Sequence, residues 1–363
     1  MRFISIDNLK EGQVLARNIY NTDCAILLAK GTTLKESYIK KLKERGYNGV
    51  YIEDENTDSV ETEPVRQEVK IKTIAIVKNA FTRLQKGYHS QEDIVNIKKQ
   101  VEEIIDELIK KRHVLLNMAD IKIFDEYIFF HSVNVAIISM IIGIAAGFDR
   151  KRLYELGMGA IFHDAGKIFI EKDILNKKGK LNDREREIIN THPLKGYQFL
   201  KEKLEHDIPI KSRLVALQHH ERYDGIGYPK QLHGSEIHIY SRIAAVADVY
   251  DAMISDRCYR KALPVHEVVE HIMGGSGRMF DPEVVKLFLQ KIMPYPVGSK
   301  VVLSNSMEGY VVRNYSDCSL RPVVRVVQQN GIKINPVEID LKNDRRYSSV
   351  TIVQVASEEG FSA

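Results

Sequence analysis

Apolar residues in the middle of the chain recur with the spacing of helices. Over positions 71–114 they return at intervals of three and four, which is typical of an amphipathic helix. The clearest run is Ile94, Ile97, Val101, Ile104, Ile105 and Leu108. Positions 115–295 repeat helical patterns that Gly, Pro and Asn interrupt, with little of the alternation that marks strands. We therefore predict a helical connector over 71–114 and an all-helical bundle over 115–295, in a chain that is mainly α.

The two ends of the chain have different patterns. Short apolar runs at 14–19, 25–28 and 49–52 predict strands, and 34–45 has helical spacing before Gly46, so residues 1–53 are predicted to form a small α+β regulatory module. Positions 54–70 are polar and acidic, and such a composition predicts a linker. β-Branched runs at 297–303, 309–313, 323–328 and 350–355 predict a small β-rich subdomain over 296–363.

Composition excludes several classes of protein. The 363 residues exceed the usual size of a single core, and 44% hydrophobic residues are ordinary for a soluble globular protein. A net charge of +4 does not indicate binding to a nucleic acid polymer. The three cysteines lie far apart and form neither a disulfide framework nor a thiolate metal site, which suits a cytoplasmic protein. The longest apolar stretch, 133–148, is short for a bilayer span and contains Asn134, so we predict a buried helix and no membrane insertion.

Histidines and carboxylates occur together in short motifs at His163, Asp164, His192, His219, His220 and Asp248. Mixed shells of imidazole and carboxylate hold hard metal ions, and a carboxylate can bridge two ions about 3.5–4 Å apart. That arrangement activates water against a phosphate. A single histidine is more often an ordinary surface or core residue, but the grouping favours a metal-dependent phosphoester hydrolase.

The motifs resemble those of one known family. HDAGK at 163–167 and HHERYDGIGYP at 219–229 resemble the HD-GYP domain, the branch of the HD phosphohydrolases that cleaves cyclic di-GMP. The similarity continues through HSVNVA at 131–136, HPLKGY at 192–197 and ADVYDAMISDRCYRKAL at 247–263. It covers roughly 115–295 and implies a cyclic di-GMP phosphodiesterase that produces pGpG and could continue to GMP.

The resemblance also implies a set of metal ligands. Asp164 would bridge two ions, with His163 and Asp248 on the first ion. His192, His219 and His220 would bind the second ion. His131 would join the first ion or an additional one, and the sequence leaves this open. Iron is our first choice of metal, and the shell also suits manganese, zinc, nickel or cobalt.

Some family members hold a third metal through a Glu four residues before the first His. Tyr127 occupies that position here, and Glu126 would point about 100° away on a helix. We therefore predict two ions. The water that the two ions activate would attack phosphorus in line with the departing ribose 3′ oxygen, with Asp164 and Lys167 as the catalytic residues.

A further set of residues is predicted to contact the substrate. These residues are Lys167, Asp251, Arg257, Arg260, Gly227, Tyr228 and Pro229. Asp251 would accept from a guanine edge or orient a ligand, and capping of a helix is its structural alternative.

Three alternatives stay open at this point. The domain could be a catalytically silent receptor for the nucleotide, or it could hydrolyse another cyclic dinucleotide such as cyclic GMP-AMP. The helical connector could pack onto the bundle, which we favour, or it could relay a signal and form a homodimer contact.

Overall fold

The computed structural model describes residues 2–21, 24–45, 47, 49–53, 64–88, 90–111, 127–175, 177, 179–255, 263–295, 297–315 and 318–355. Predictions for Glu126, Arg257 and Arg260 lie outside these ranges. Within them the chain is mainly helical and ends in an antiparallel sheet, which confirms the predicted fold class.

The N-terminal module combines four short strands with one helix. These are β1 (Arg2–Ser5), β2 (Ile19–Tyr20), β3 (Ile26–Leu28), α1 (Glu36–Glu44) and β4 (Gly49–Ile52). β1 pairs antiparallel with β4, and β2 pairs with β3. Leu15, Leu34 and Leu42 are buried between them. The predicted strand over 14–19 is confirmed only at Ile19, where β2 begins, because Val14 and Leu15 form only isolated bridges.

Two long helices, α2 (Gln67–Gln85) and α3 (Gln91–Lys110), form the connector. α2 begins inside the range 54–70 that the composition indicates as a linker. Its buried residues, and those of α3, belong to the same hydrophobic cluster as the bundle. The glutamate Glu107 on α3 accepts from the backbone N–H of Arg66, at 2.7 Å, where α2 begins. This geometry supports packing onto the bundle, and the signal relay and homodimer contact stay predictions.

The bundle contains nine described helices. They are α4 (Tyr127–Ala145), α5 (Arg150–Ile161), α6 (Lys172–Leu175), α7 (Asp183–Ile189), α8 (His192–Lys203), α9 (Ile210–Gln218), α10 (Ile239–Ile254), α11 (Val265–Gly274) and α12 (Pro282–Leu289). α4 lies at the centre, and its residues from Phe130 to Ile142 are buried. This confirms the predicted buried helix. Across the described residues, no helix combines the length and the apolar character that a bilayer crossing needs.

The C-terminal subdomain is a five-stranded antiparallel sheet with the strand order β8-β7-β6-β5-β9. Its strands are β5 (Lys300–Leu303), β6 (Met307–Arg313), β7 (Val323–Gln329), β8 (Ile332–Asp340) and β9 (Ile352–Val355). Val301, Val311 and Val324 centre a core of its own. β8 was not predicted because its apolar residues alternate with polar ones and form no continuous apolar run, and six of its nine residues are exposed on this edge strand.

Candidate metal centre

The predicted ligands lie at the ends or on the inner faces of five different helices. His131 is on α4, and His163 and Asp164 follow the end of α5. The remaining ligands are His192 at the start of α8, His219 and His220 after α9, and Asp248 on α10. His220 is half-buried and the others are buried. The fold therefore brings together residues that span 118 positions of the sequence, from 131 to 248.

Three groups of these residues have ligand atoms within 4.8 Å of one another. The groups are His192, His219 and His220; His131, His163 and Asp248; and His163, Asp164 and His219. The first two groups share no residue. Each contains three donors, and each is therefore suited to one metal ion.

Asp164 lies between the two groups. Its Oδ1 is 3.3 Å from His192 Nε2 and 3.8 Å from His219 Nε2. Its Oδ2 is 3.2 Å from His163 Nε2 and 3.9 Å from His131 Nε2. Because each oxygen faces a different set of imidazoles, this carboxylate has the geometry of a bridge.

Hydrogen bonds to the backbone orient three of the imidazoles. Nδ1 of His163 lies 2.7 Å from Ala160 O, and Nδ1 of His192 lies 2.7 Å from Ile189 O. Nδ1 of His219 lies 3.0 Å from Val215 O. A carbonyl oxygen only accepts, so each Nδ1 carries the proton and each Nε2 directs a lone pair inward, as in other metal-binding histidines.

Asp251 orients the fourth imidazole. It is fully buried, and its Oδ2 lies 2.7 Å from Nδ1 of His131. Its Oδ1 accepts from Asn134 Nδ2 at 2.9 Å. Both oxygens are engaged inside the protein, so this geometry does not favour the predicted contact of Asp251 with substrate, which stays a prediction. The alternative in which Asp251 orients a ligand agrees with this geometry.

Several buried atoms need a partner that these residues do not provide. Among the described residues, His163 Nε2 and Asp164 Oδ1 are buried without a hydrogen bond. His192 Nε2 and His219 Nε2 are 3.3 Å apart, and with Nδ1 protonated on both rings neither is a donor. Leaving such groups without a partner costs about 1–3 kcal/mol each. Cations between them satisfy all four atoms, so the residues present fit metal binding.

The pKa values of the imidazoles in the site are shifted in opposite directions. Burial alone would lower the pKa of His131, but its hydrogen bonds to Asp248 and Asp251 outweigh burial and raise the pKa to about 9. Burial lowers the pKa of His220 to about 3 and also lowers the pKa of His219. These two imidazoles are therefore neutral and able to bind metal at pH 7.

Both carboxylates remain ionised. Burial opposes the ionisation of Asp164, but electrostatic interactions with His163 and Lys167 outweigh it and hold the pKa of Asp164 well below its usual range. The pKa of Asp248 is lowered in the same way, with burial outweighed by its bond to His131.

Lys167 and a close backbone contact shape the edge of the site. Lys167 Nζ lies 2.6 Å from Asp164 Oδ2, and its side chain retains 22% exposure. The ammonium group therefore lies between the carboxylate of Asp164 and solvent. Gly166 packs directly on the start of α8, since a Cβ there would overlap the carbonyl oxygen of His192 and lie 2.6 Å from Gly196 N. This contact places His192 beside Asp164.

The loop after His220 covers one side of the second group. The Tyr228 ring stacks on the His220 ring, with centroids 4.8 Å apart and an angle of 23° between the planes. Gly227 allows this approach, because a Cβ there would lie 2.5 Å from Glu221 Cα. Contacts of Gly227, Tyr228 and Pro229 with substrate stay predictions.

Sequence reasoning missed two residues. Asn134 holds Asp251, and it is three positions after His131, so both share one face of α4. Glu221 belongs to the quoted motif but received no role, although its carboxylate is buried and bonded to the backbone. The signal for both was a polar residue at a position that the fold buries.

Residues 104–284 match the HD domain family. The chain contains an HD domain. The comparisons and the motifs at 163–167 and 219–229 together identify it as the HD-GYP type. The chain is 33% identical over 234 residues to the cyclic di-GMP phosphodiesterase PA4108 of Pseudomonas aeruginosa, covering 64% of this chain and 56% of that protein.

Two further comparisons concern specificity and fold. The chain is 38% identical over 128 residues to the 3′3′-cGAMP-specific phosphodiesterase 2 of Vibrio cholerae, covering 35% of this chain and 24% of that protein. The structure of Bd1817, an HDG"Y"P protein of Bdellovibrio bacteriovorus, aligns with a TM-score of 0.54 and 17% identity. This alignment covers 79% of our chain and 97% of that chain, and it shows the fold alone. The chain spans little more than half of the Pseudomonas relative.

Proposed function

We propose that this HD-GYP domain is a metal-dependent phosphodiesterase that opens cyclic di-GMP to pGpG and continues to GMP where the second diester is also cleaved. The observation that carries the proposal is the position of Asp164, whose two oxygens face two separate sets of imidazoles. The relatives that act on cyclic dinucleotides support the choice of substrate.

The proposed ligands fall into two sets, one for each metal ion. His163, His131 and Asp248 would hold one ion, His192, His219 and His220 the other, and Asp164 both. When bound, two metal ions acidify water and neutralise charge on a phosphate. We propose iron first and manganese, zinc, nickel or cobalt as substitutes.

Lys167 is the proposed residue for the leaving group. Cleavage forms a bond between phosphorus and a water oxygen and breaks the bond to the ribose 3′ oxygen. Negative charge then grows on the 3′ oxygen and on the phosphate oxygens. A fixed ammonium stabilises that charge more in the transition state than in the bound substrate, which increases the rate.

Purification without oxygen, followed by metal analysis and incubation with cyclic di-GMP, tests the proposal. We expect about two ions for each chain and accumulation of pGpG. His163→Ala should reduce turnover by at least about 100-fold, because it removes a ligand of the first ion. His206→Ala is the matched control, because His206 is exposed and outside the site. Metal-loaded protein that leaves cyclic di-GMP intact would refute the proposal, and tight binding without turnover would indicate the silent receptor.

Cyclic GMP-AMP is the second candidate substrate, because two relatives are named as specific for it. Parallel turnover of both nucleotides by the same preparation ranks them. The cytoplasmic location that the cysteines indicate stays a prediction.

A further inference from the structure

The His220 ring differs from the other proposed imidazole ligands in how it is held. His163, His192 and His219 donate from Nδ1 to backbone carbonyls, and His131 bonds to Asp251. Within the described ranges, no hydrogen bond reaches the ring of His220. Its orientation comes instead from neighbouring rings, and Tyr228 is the one that lies nearly parallel to it.

The position of Tyr228 depends on a loop that folds back on itself. The backbone N–H of Tyr228 donates to His220 O at 3.2 Å, and Gly227 packs on the backbone of Glu221 and Arg222. The return segment, residues 230–232, then passes beside Glu221. Gln231 in this segment has a φ of 56°, a left-handed conformation that few residues other than glycine and asparagine adopt.

Glu221 holds this return segment through two hydrogen bonds. Its Oε1 accepts from the backbone N–H of Lys230 at 2.7 Å, and its Oε2 accepts from the backbone N–H of Leu232 at 3.0 Å. The residue is only 3% exposed. Hydrogen bonds to a charged acceptor are stronger than those to a neutral one. Here the two oxygens accept from the residues immediately before and after Gln231, the residue in the left-handed conformation.

We propose that Glu221 is a positioning residue for the second metal ion: its carboxylate fixes the turn at 227–232, and the turn holds Tyr228 against the ring of the ligand His220. The inference rests on the proposed function, since it requires that His220 binds metal. Both oxygens of Glu221 are bonded to the backbone, and within the described residues Glu221 belongs to none of the three ligand groups. Residues that orient a metal ligand typically change metal affinity by about 10–100-fold when they are replaced.

Glu221→Gln tests this inference in the full chain. A Gln side chain has one acceptor oxygen, so one of the two backbone N–H groups loses its partner. We expect faster hydrogen exchange at the amides of Lys230 and Leu232, and Mn²⁺ binding at the weaker site reduced by about 10–100-fold. Activity should then return when the Mn²⁺ concentration is raised, which a general loss of structure would not allow.

Glu236→Gln is the matched control. Glu236 lies in the same loop and accepts from the backbone N–H of His233 at 2.8 Å, but it is exposed and away from His220. This variant should bind Mn²⁺ as the unmodified chain does.

Tyr228→Leu provides a second route if Glu221→Gln does not fold. It removes the ring contact and keeps the carboxylate, so we expect the same loss of Mn²⁺ affinity with the amides of Lys230 and Leu232 still protected. Unchanged Mn²⁺ affinity in both folded variants would overturn the proposal. Failure of the unmodified chain to bind Mn²⁺ would instead overturn the proposed function, so the two failures are distinguishable.

Discussion

Asp251→Ala removes a carboxylate that two buried donors share. His131 Nδ1 lies 2.7 Å from it and Asn134 Nδ2 lies 2.9 Å from it. Both residues retain only 2% exposure, so neither gains a bond to bulk water in exchange. A buried donor without a partner costs about 1–3 kcal/mol, so two of them cost about 2–6 kcal/mol. Because ordinary domains are stable by about 5–15 kcal/mol, we expect the free energy of unfolding to fall by a large fraction.

Asp251→Asn separates hydrogen bonding from charge. The new amide oxygen can still accept from His131, and the amide nitrogen then faces Asn134. Asn134 Oδ1 has no hydrogen bond within the described residues, so the Asn134 amide can rotate by half a turn without breaking a bond to that oxygen. After the rotation, Oδ1 of Asn134 accepts from the amide nitrogen that Asp251→Asn introduces. We therefore expect Asp251→Asn to keep most of the stability that Asp251→Ala loses. The loss of negative charge behind His131 should still weaken Mn²⁺ binding by about 10–100-fold.

Urea unfolding of the metal-free variants measures the stability, and titration with Mn²⁺ measures the affinity. Equal stability of Asp251→Ala and the unmodified chain would refute the hydrogen-bond argument. If Asp251→Asn unfolded as easily as Asp251→Ala, the exchange at Asn134 would be refuted. A higher KM in Asp251→Asn with unchanged Mn²⁺ affinity would restore the substrate contact that the sequence predicted.

Three further predictions concern the same domain. Gly166→Ala should displace His192 and lower turnover by about 100-fold, because the new Cβ overlaps a backbone carbonyl. Gly274→Ala is its control, since a Cβ at Gly274 meets nothing within 4 Å. Equal turnover of the two variants would contradict the packing argument. Gln231→Gly should raise the free energy of unfolding by up to about 1 kcal/mol, because it relieves a left-handed backbone, and lower stability in urea would contradict this. His131 has a pKa raised from 6.5 to about 9, so its contribution to stability is complete below pH 6.5 and disappears as the pH rises through 9. Metal binding at pH 7.5 should therefore release a proton from His131. The binding enthalpy measured by calorimetry should then differ between buffers of different ionisation enthalpy. An equal binding enthalpy in all buffers would show that His131 is already neutral.

The sequence was sufficient to predict the helical class and to select residues that the fold brings together as possible metal ligands. Motifs such as HDAGK at 163–167 contain ligands next to each other, and the helical spacing over 115–295 implies that distant motifs meet in one bundle. The assignment of ligands to two groups follows from the resemblance, and the geometry around Asp164 agrees with it. The number and identity of the ions stay predictions.

Other features depend on burial, which a single sequence does not show. Asp251 looked available to substrate because a carboxylate three residues after Asp248 on a helix shares its face. In the structure the neighbouring helix α4 covers that position, and Asn134 provides the partner that makes burial tolerable. The edge strand β8 was missed for a different reason, since six of its nine residues are exposed and its apolar residues are separated by polar ones rather than forming a run.

The glycines in the motifs explain how separated ligands reach one site. Gly166 follows the proposed ligand Asp164, and Gly196 follows the proposed ligand His192. A Cβ on either glycine would intrude on the backbone of the other segment. Gly227 has the same relation to the backbone beside His220. A side chain at these positions would keep the backbones apart, and imidazoles that are about 3–4 Å from Asp164 would move out of reach of a shared ion. The close backbone contacts are therefore as necessary to the centre as its ligands, and the motifs contain both because the two requirements act on the same short segments.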